Sequence, residues 1–231
     1  MPKKELEVAL ISIPENLLDI IYTACRVCYS AQGAIDIIEN ITPDEDKKLE
    51  LIKKVISSGH YSTIEHIQLT FAINNLSRAA THQLVRHRHM SFSQKSQRYV
   101  QEKGEFSYII PQAIGANKVL CEKFKKHMQE TAKLYLEFIE NGIKSEDARS
   151  ILPNSATSSL VASLNLRELI HLANLRLCTR AQFEIRLLVK KMCMLVEQKY
   201  PWLEEHLVPK CERLGYCNED NSCGRVRQKN G

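Results

Sequence analysis

"HIQLTFAIN", residues 66–74, sets Ile67, Leu69, Phe71 and Ile73 against Gln68, Thr70, Ala72 and Asn74. That period of two is a β-strand with one face buried. Three residues on, Ser77 is placed to cap a helix running to about His87. Upstream, "ELEVALISIP" (5–14) reads as a second strand stopped by Pro14, and "ENLLDIIYTACRVCYSA" (15–31) as an amphipathic helix. "TPDEDKKLELIKKVISSGH" (42–60) is a clearer helix, with Thr42 as N-cap, Pro43 in the first turn, acids leading, lysines trailing and Gly59 at its end. A long helix over 116–141 buries Leu120, Phe124, Met128, Ala132, Tyr135 and Ile139 and stops at Asn141-Gly142. "DARSILP" (147–153) is a short helical turn ended by Pro153. Residues 159–199 read as helical with a break near Thr179, the second half striping Ala181, Ile185, Leu188, Met192 and Leu195. Strands and helices interleave without regular βαβ alternation. The class is therefore α+β, an antiparallel sheet core with packed helices and a helical subdomain.

The chain has 231 residues, 44% hydrophobic and 26% charged, and a net charge of +5. One domain over 1–231 is expected, with a polar, cysteine-containing tail from 208. The N-terminus shows no secretory leader, and no apolar run reaches the roughly 18 residues a bilayer span requires. A cytoplasmic protein with no membrane contact follows, and its eight cysteines are expected as thiols. G-x-G-x-x-G, P-loop and H-E-x-x-H patterns are all missing. An anionic ligand must then be held by side chains and helix ends.

The charge is concentrated. "VRHRHMSFSQKSQRYV" (85–100) carries Arg86, Arg88, Lys95 and Arg98 with His87 and His89. On a helix, Gln83, Arg86 and His87 share a face, while Arg88 lies about 200° round from Arg86. Past Met90 an extended segment points Gln94, Ser96 and Arg98 the same way. Amide, hydroxyl and guanidinium on one face form a donor array suited to a phosphate or a uracil-like ring. The competing readings are a solvated basic face, a nucleic-acid-binding module using residues 86–98, and a structural oligomer with a degenerate site. Basic charge is not spread along a face and only 6% of residues are aromatic, which speaks against the nucleic-acid module.

"RHRHMSFSQKS" (86–96), R-H-R then seven residues then S, resembles the signature of the flavin-dependent thymidylate synthase family. "GHYSTIEH" (59–66), "ARSILP" (148–153) and "NLRELIHLANLRLCTRAQFEIR" (165–186) resemble further blocks of that family, in the same order. The resemblance implies conversion of dUMP to dTMP, with carbon from 5,10-methylenetetrahydrofolate and reducing equivalents from NADPH through FAD. It also implies a homotetramer with active sites shared between subunits. Matched position by position, FAD would contact Ser62, Glu65, Arg86, His87, Arg88, Gln94, Asn165, Leu166, Arg167 and His171. dUMP would contact Gln83, Leu84, Val85, Arg86, Gln94, Lys95, Ser96, Gln97, Arg98, Arg149 and Arg176. Within one helix, Arg167 and His171 share a face and Arg176 projects about 180° away, so one helix can address two ligands. Arg176 is the catalytic candidate, its guanidinium favouring an ionised pyrimidine ring. Its alternative is a plain ion pair with Glu184. Ser96 is expected to position substrate, with no covalent protein nucleophile in the reaction. No metal is expected: His60 and His66 around Glu65 read as structural, Cys25 and Cys28 as packed helical thiols, and Cys211, Cys217 and Cys223, spaced by six, as a weak metal candidate.

Overall fold

The structure is a computed structural model and describes residues 5–42, 44–102 and 104–228. In chain order it contains β1 (Glu7–Ser12), α1 (Leu17–Val27), α2 (Ala34–Glu39), α3 (Glu45–Ser57), a 3-10 turn (Tyr61–Ile64), β2 (Gln68–Ser77), α4 (Arg78–Leu84) and β3 (Met90–Gln94). There follow α5 (Gln112–Gly115), α6 (Lys118–Glu140), α7 (Ser145–Ala148), a 3-10 turn (Arg149–Ile151), β4 (Thr157–Asn165), α8 (Leu166–Arg176), α9 (Phe183–Lys199), a 3-10 turn (Pro201–Leu203) and α10 (Lys210–Leu214). The four strands form one antiparallel sheet in the order β1-β2-β4-β3, so the class is α+β. None of the described helices is long and apolar enough to cross a membrane.

Two compact units are present; four of the five sequence boundaries between them fall within strands, and the fifth, after Arg88, just precedes β3. The first comprises the described parts of Met1–Val8, Ala72–Arg88 and Phe92–Ala162. Phe106, Met128, Ala132 and Ala156 form its buried cluster, with Tyr108, Phe124 and Leu152 packed around them. Asn117 starts α6 by accepting the Leu120 N–H at 3.1 Å, and Asn141 ends it ahead of Gly142. Leu120, expected in the core, is 49% exposed, because the first turn of α6 runs past the end of the cluster.

The second unit comprises Ala9–Phe71, His89–Ser91 and the described part of Ser163–Gly231. Here α1 packs on α3, and α8 on both α9 and α10. Leu17, Ile21, Ile52, Leu169, Leu172, Ile185, Leu188 and Met192 are fully buried. The expected stripe on α9 is thus inward at Ile185, Leu188 and Met192, and the expected break near Thr179 is the 177–182 connection. The Tyr200 hydroxyl donates to Pro14 O at 2.7 Å, fixing the end of α9 to the segment that follows β1.

Several local expectations are corrected. Helix α3 begins at Glu45, capped by Asp44, whose carboxylate accepts the Lys47 N–H at 3.1 Å; Thr42 is outside it, and Pro43 lies outside the described residues. Helix α1 ends at Val27, and the unexpected α2 follows Gly33. Cys25 is buried as expected, but Cys28 is the exposed C-cap, its thiol donating to Ala24 O at 3.3 Å. The largest miss is "TSSLVASLN" (157–165), read mostly as helix and found as the inner strand β4. Ser158, Leu160, Ala162 and Leu164 face inward with period two, and the helix-forming Leu and Ala content masked that alternation. The tail is more ordered than expected, with α10 and a bridge between Cys217 and Gln228.

Strand β2 outlasts its alternating pattern. Leu69, Phe71 and Ile73 are buried, and then the phase shifts by one so that Leu76 and Ser77 are buried. The shift occurs at Asn75, whose φ is 62°, a left-handed conformation asparagine tolerates. Its amide nitrogen donates to Glu5 O at 2.9 Å, and Asn74 donates to Glu7 Oε2 at 3.2 Å. Ser77 then faces inward, where its hydroxyl accepts the Ala80 N–H at 3.1 Å and caps α4.

Candidate active site

In the second unit, the histidine block follows α3 through Gly59, at φ 84°, where a side chain would be strained. The 3-10 turn Tyr61–Ile64 is anchored by fully buried Ile64 and leaves Ser62 exposed. His60 is occupied structurally, its Nε2 lying 3.3 Å from the Tyr29 hydroxyl. At the end of the turn, Glu65 forms an ion pair with Arg167. Two residues expected at the flavin are therefore brought into contact with each other, although 102 positions separate them. Asn165 caps α8, its Oδ1 accepting the Glu168 N–H at 2.8 Å, so its amide nitrogen is the group it can offer a ligand. Leu166 is fully buried, so contact with a ligand at this position falls to the backbone. Along α8, Arg167 and His171 are both exposed, one turn apart. The helix continues unbroken to Arg176, nine residues on, which therefore projects to the other side and is half-buried. As the final residue of the helix, Arg176 also sits where the backbone dipole favours a cation.

In the first unit, α4 ends at Leu84, three residues earlier than expected. Gln83, Arg86 and His87 consequently do not share a helical face: Arg86 and Arg88 are exposed, whereas His87 is 7% exposed. Leu84 is fully buried and Val85 is 45% exposed. Gln94 closes strand β3, and its Nε2 is buried without a hydrogen-bond acceptor among the described residues. A buried donor of that kind costs about 1–3 kcal/mol unless a ligand or water satisfies it.

Beyond Gln94 the chain turns instead of extending. Val100 N–H donates to Ser96 O at 3.0 Å, and Arg98 N–H donates to Ser96 Oγ at 3.1 Å. The expected period-two alignment of Gln94, Ser96 and Arg98 is thereby lost, because a turn rotates successive side chains differently from a strand. Lys95 pairs with Glu102 at 2.7 Å, while Gln97 is half-buried within the turn. The Arg98 Nε lies 2.7 Å from Glu146 Oε2, and Arg149 Nε donates to Glu146 O at 3.1 Å. Two guanidiniums expected at the nucleotide thus converge on one residue of α7. Glu146 was not singled out in the sequence, although its position three before Arg149 was the available signal.

Comparisons with known proteins bear on the family of the chain and on its fold. The family model described as "Thymidylate synthase complementing protein" matches residues 9–202. The flavin-dependent thymidylate synthase of Nitratidesulfovibrio vulgaris is 40% identical, over 97% of this chain and 97% of its own. That of Pyrococcus abyssi is 41% identical, over 93% and 90% respectively. The fold is similar to that of the UMP/dUMP methylase PolB from Streptomyces cacaoi, solved with 5-Br dUMP, with a TM-score of 0.77 at 22% identity over 88% of this chain and 95% of that one. With more than nine-tenths of the chain aligned to relatives at such identities, and four motif blocks present in order, this chain belongs to the flavin-dependent thymidylate synthase family.

Proposed function

We propose that the chain methylates dUMP to dTMP, using 5,10-methylenetetrahydrofolate as carbon donor and NADPH as reductant through FAD. The convergence of Arg98 and Arg149 on Glu146, in a chain of this family, carries the reading. Those guanidiniums match the doubly charged phosphate of a nucleotide, which can displace a carboxylate at a half-exposed pair. The residues also fit a flavin dinucleotide. Arg86, Arg88 and Arg167 present exposed guanidiniums, Asn165 keeps its amide nitrogen, and Gln94 offers an unsatisfied donor. Ser62, Glu65, Leu166, His87 and His171 complete that set. When bound, FAD supplies the hydride that reduces the transferred carbon to a methyl group.

The protein's own part is to bind, orient and stabilise charge. Arg176 faces the uracil ring and stabilises the negative charge that develops on N3 and the carbonyl oxygens as C5 becomes nucleophilic. Gln83, Leu84, Val85, Lys95 and Gln97 border the nucleotide. Ser96 positions it and does not attack it: one lone pair of its hydroxyl already accepts the Arg98 N–H. A base within reach, the requirement for a nucleophilic serine, is not needed in this role.

Assembly as a homotetramer with shared active sites is part of the proposal. Leu187 and Met194, seven residues apart on α9, are 42% and 45% exposed in the single chain, an apolar stripe suited to burial by another subunit. We place the enzyme in the cytoplasm, where its nucleotide and folate substrates occur. The test is anaerobic. NADPH should bleach the flavin of the purified protein, at a rate that dUMP alters, and methylenetetrahydrofolate should then restore the colour with formation of dTMP. A protein that stays colourless in excess FAD, or that instead binds oligonucleotides with a steep salt dependence, would overturn the reading.

A further inference from the structure

Two arginine–glutamate pairs of the candidate site are half-exposed alike but differ in how they are held. Arg98 belongs to the Ser96 turn, and its partner Glu146 to the four-residue helix α7. Arg167 and Glu65 belong to segments joined through the backbone of the second unit. Leu166, just before Arg167, donates its N–H at 2.9 Å to the carbonyl oxygen of Ile67, two residues after Glu65. Ile64, Ile67 and Leu166, which flank the pair, are fully buried. Glu65 closes the 3-10 turn: its N–H donates to Ser62 O at 3.2 Å, and its carbonyl accepts from Gln68 Nε2 at 3.2 Å. Further along, the Thr70 and Ser163 hydroxyls, 3.0 Å apart, tie the same two segments again. The backbone under the carboxylate is thus fixed against the start of α8, and Oε1 accepts from Arg167 Nη1.

We propose that Glu65 is a positioning residue, which holds Arg167 in the orientation that meets the pyrophosphate of the flavin dinucleotide and does not itself touch the ligand. This role presupposes the flavin reading given above. A guanidinium carries five N–H donors on a planar fork. With Nη1 drawn to Glu65, the adjoining Nε–Nη2 edge keeps two parallel donors, the arrangement that grips a phosphate bidentately. Charge points the same way. A carboxylate set directly against a pyrophosphate would repel it, whereas one already paired with an arginine acts through that arginine. Arginine also loses much side-chain freedom when it is immobilised, and a partner on a fixed backbone removes part of that loss before the ligand arrives. Glu146 has no such frame, so it yields Arg98 to an incoming phosphate, while Glu65 keeps its hold.

The sign of one substitution separates the roles. Glu65→Gln removes a negative charge beside an anionic ligand. A carboxylate that only competed for Arg167, or only repelled the pyrophosphate, would on neutralisation let FAD bind more tightly. A positioning carboxylate requires the opposite. Glu65→Gln, and Glu65→Asp, which keeps the charge but not the reach, should each weaken FAD about 3- to 10-fold in equilibrium titrations of the full-length protein followed by flavin fluorescence. Arg167→Ala should weaken FAD about 10- to 100-fold, and adding Glu65→Gln to it should cost nothing more. The melting temperature of the ligand-free protein should barely move in Glu65→Gln, because an ion pair this exposed adds little to folding. Should Arg167→Ala fail to fold, the two Glu65 variants decide the question by themselves. FAD bound by Glu65→Gln as tightly as by the parent, or more tightly, would overturn the proposal and leave the flavin reading standing. So would an equal loss from Glu65→Gln with and without Arg167. A parent protein that binds no FAD would overturn both.

Discussion

Replacing Arg98 with alanine should weaken dUMP binding by an amount the structure sets. A guanidinium–phosphate contact is a charge-assisted hydrogen bond, worth about 1.5–3 kcal/mol. Arg98 is not idle before the nucleotide arrives, however: its Nε lies 2.7 Å from Glu146 Oε2, with the two side chains 55% and 35% exposed. A pair that exposed contributes about 0.2–1 kcal/mol, which binding must give up. The net is about 1–2 kcal/mol, so Arg98→Ala should raise the dissociation constant roughly 5- to 30-fold. Glu146→Gln removes only the competing pair and should tighten binding by up to about fivefold. The double variant should match Arg98→Ala alone, because Glu146 acts through Arg98. Isothermal titration of the flavin-loaded protein with dUMP measures all four dissociation constants of this cycle. If Glu146→Gln shifts affinity equally with and without Arg98, the carboxylate acts on the nucleotide directly and the displacement argument fails. If Arg98→Ala binds as the parent does, Arg98 is not a phosphate ligand.

Arg176→Ala should keep its yellow colour yet lose about 10²–10³ in turnover, the scale of one oriented donor at developing charge, as measured by tritium release from 5-³H-dUMP. Gln94→Leu should raise the melting temperature of the ligand-free protein, because it removes an unsatisfied buried donor, while weakening ligand binding in the same titration. His206 contributes to the acid limb of stability. Burial lowers its pKa below the ordinary 6.5, Lys53 and Arg213 add to the lowering, and Glu205 opposes it. Its neutral form is favoured when folded, so its stabilisation is present above pH 6.5 and is lost as pH falls through that window toward the folded value. His206→Gln should flatten the fall in melting temperature across that range, and an unchanged slope would assign the limb elsewhere.

How far the sequence reaches can be judged element by element. The β2 alternation, the Ser77 cap and the Asn141-Gly142 stop are local signals, and each appears in the fold. Strand β4 was hidden because its inward residues are Ser, Leu and Ala, types that a helix accommodates equally well; only pairing with its neighbours decides between the two. The family's blocks were legible as residue types, and Arg167 and Arg176 take opposite sides of α8 as the helical period requires. The corner between α4 and the Ser96 turn was not legible in detail, because hydrogen bonds across a tight turn follow no period. Ion pairs that bridge long stretches, Glu65 with Arg167 and Arg98 with Glu146, likewise leave no mark in local sequence.

The left-handed Asn75 fixes a reading frame within the fold. Deleting Asn75 would keep the composition of β2 nearly intact but place Leu76 two residues after Ile73: plain alternation would return, Leu76 staying inward while Ser77 and the start of α4 turn to the opposite face. Every position downstream, through the arginine corner, would then be aimed from the wrong side of the sheet. A chimera of two such enzymes would therefore tolerate a crossover before Asn74 or after Ser77, while one made between them would be viable only where both parents carry the same one-residue offset.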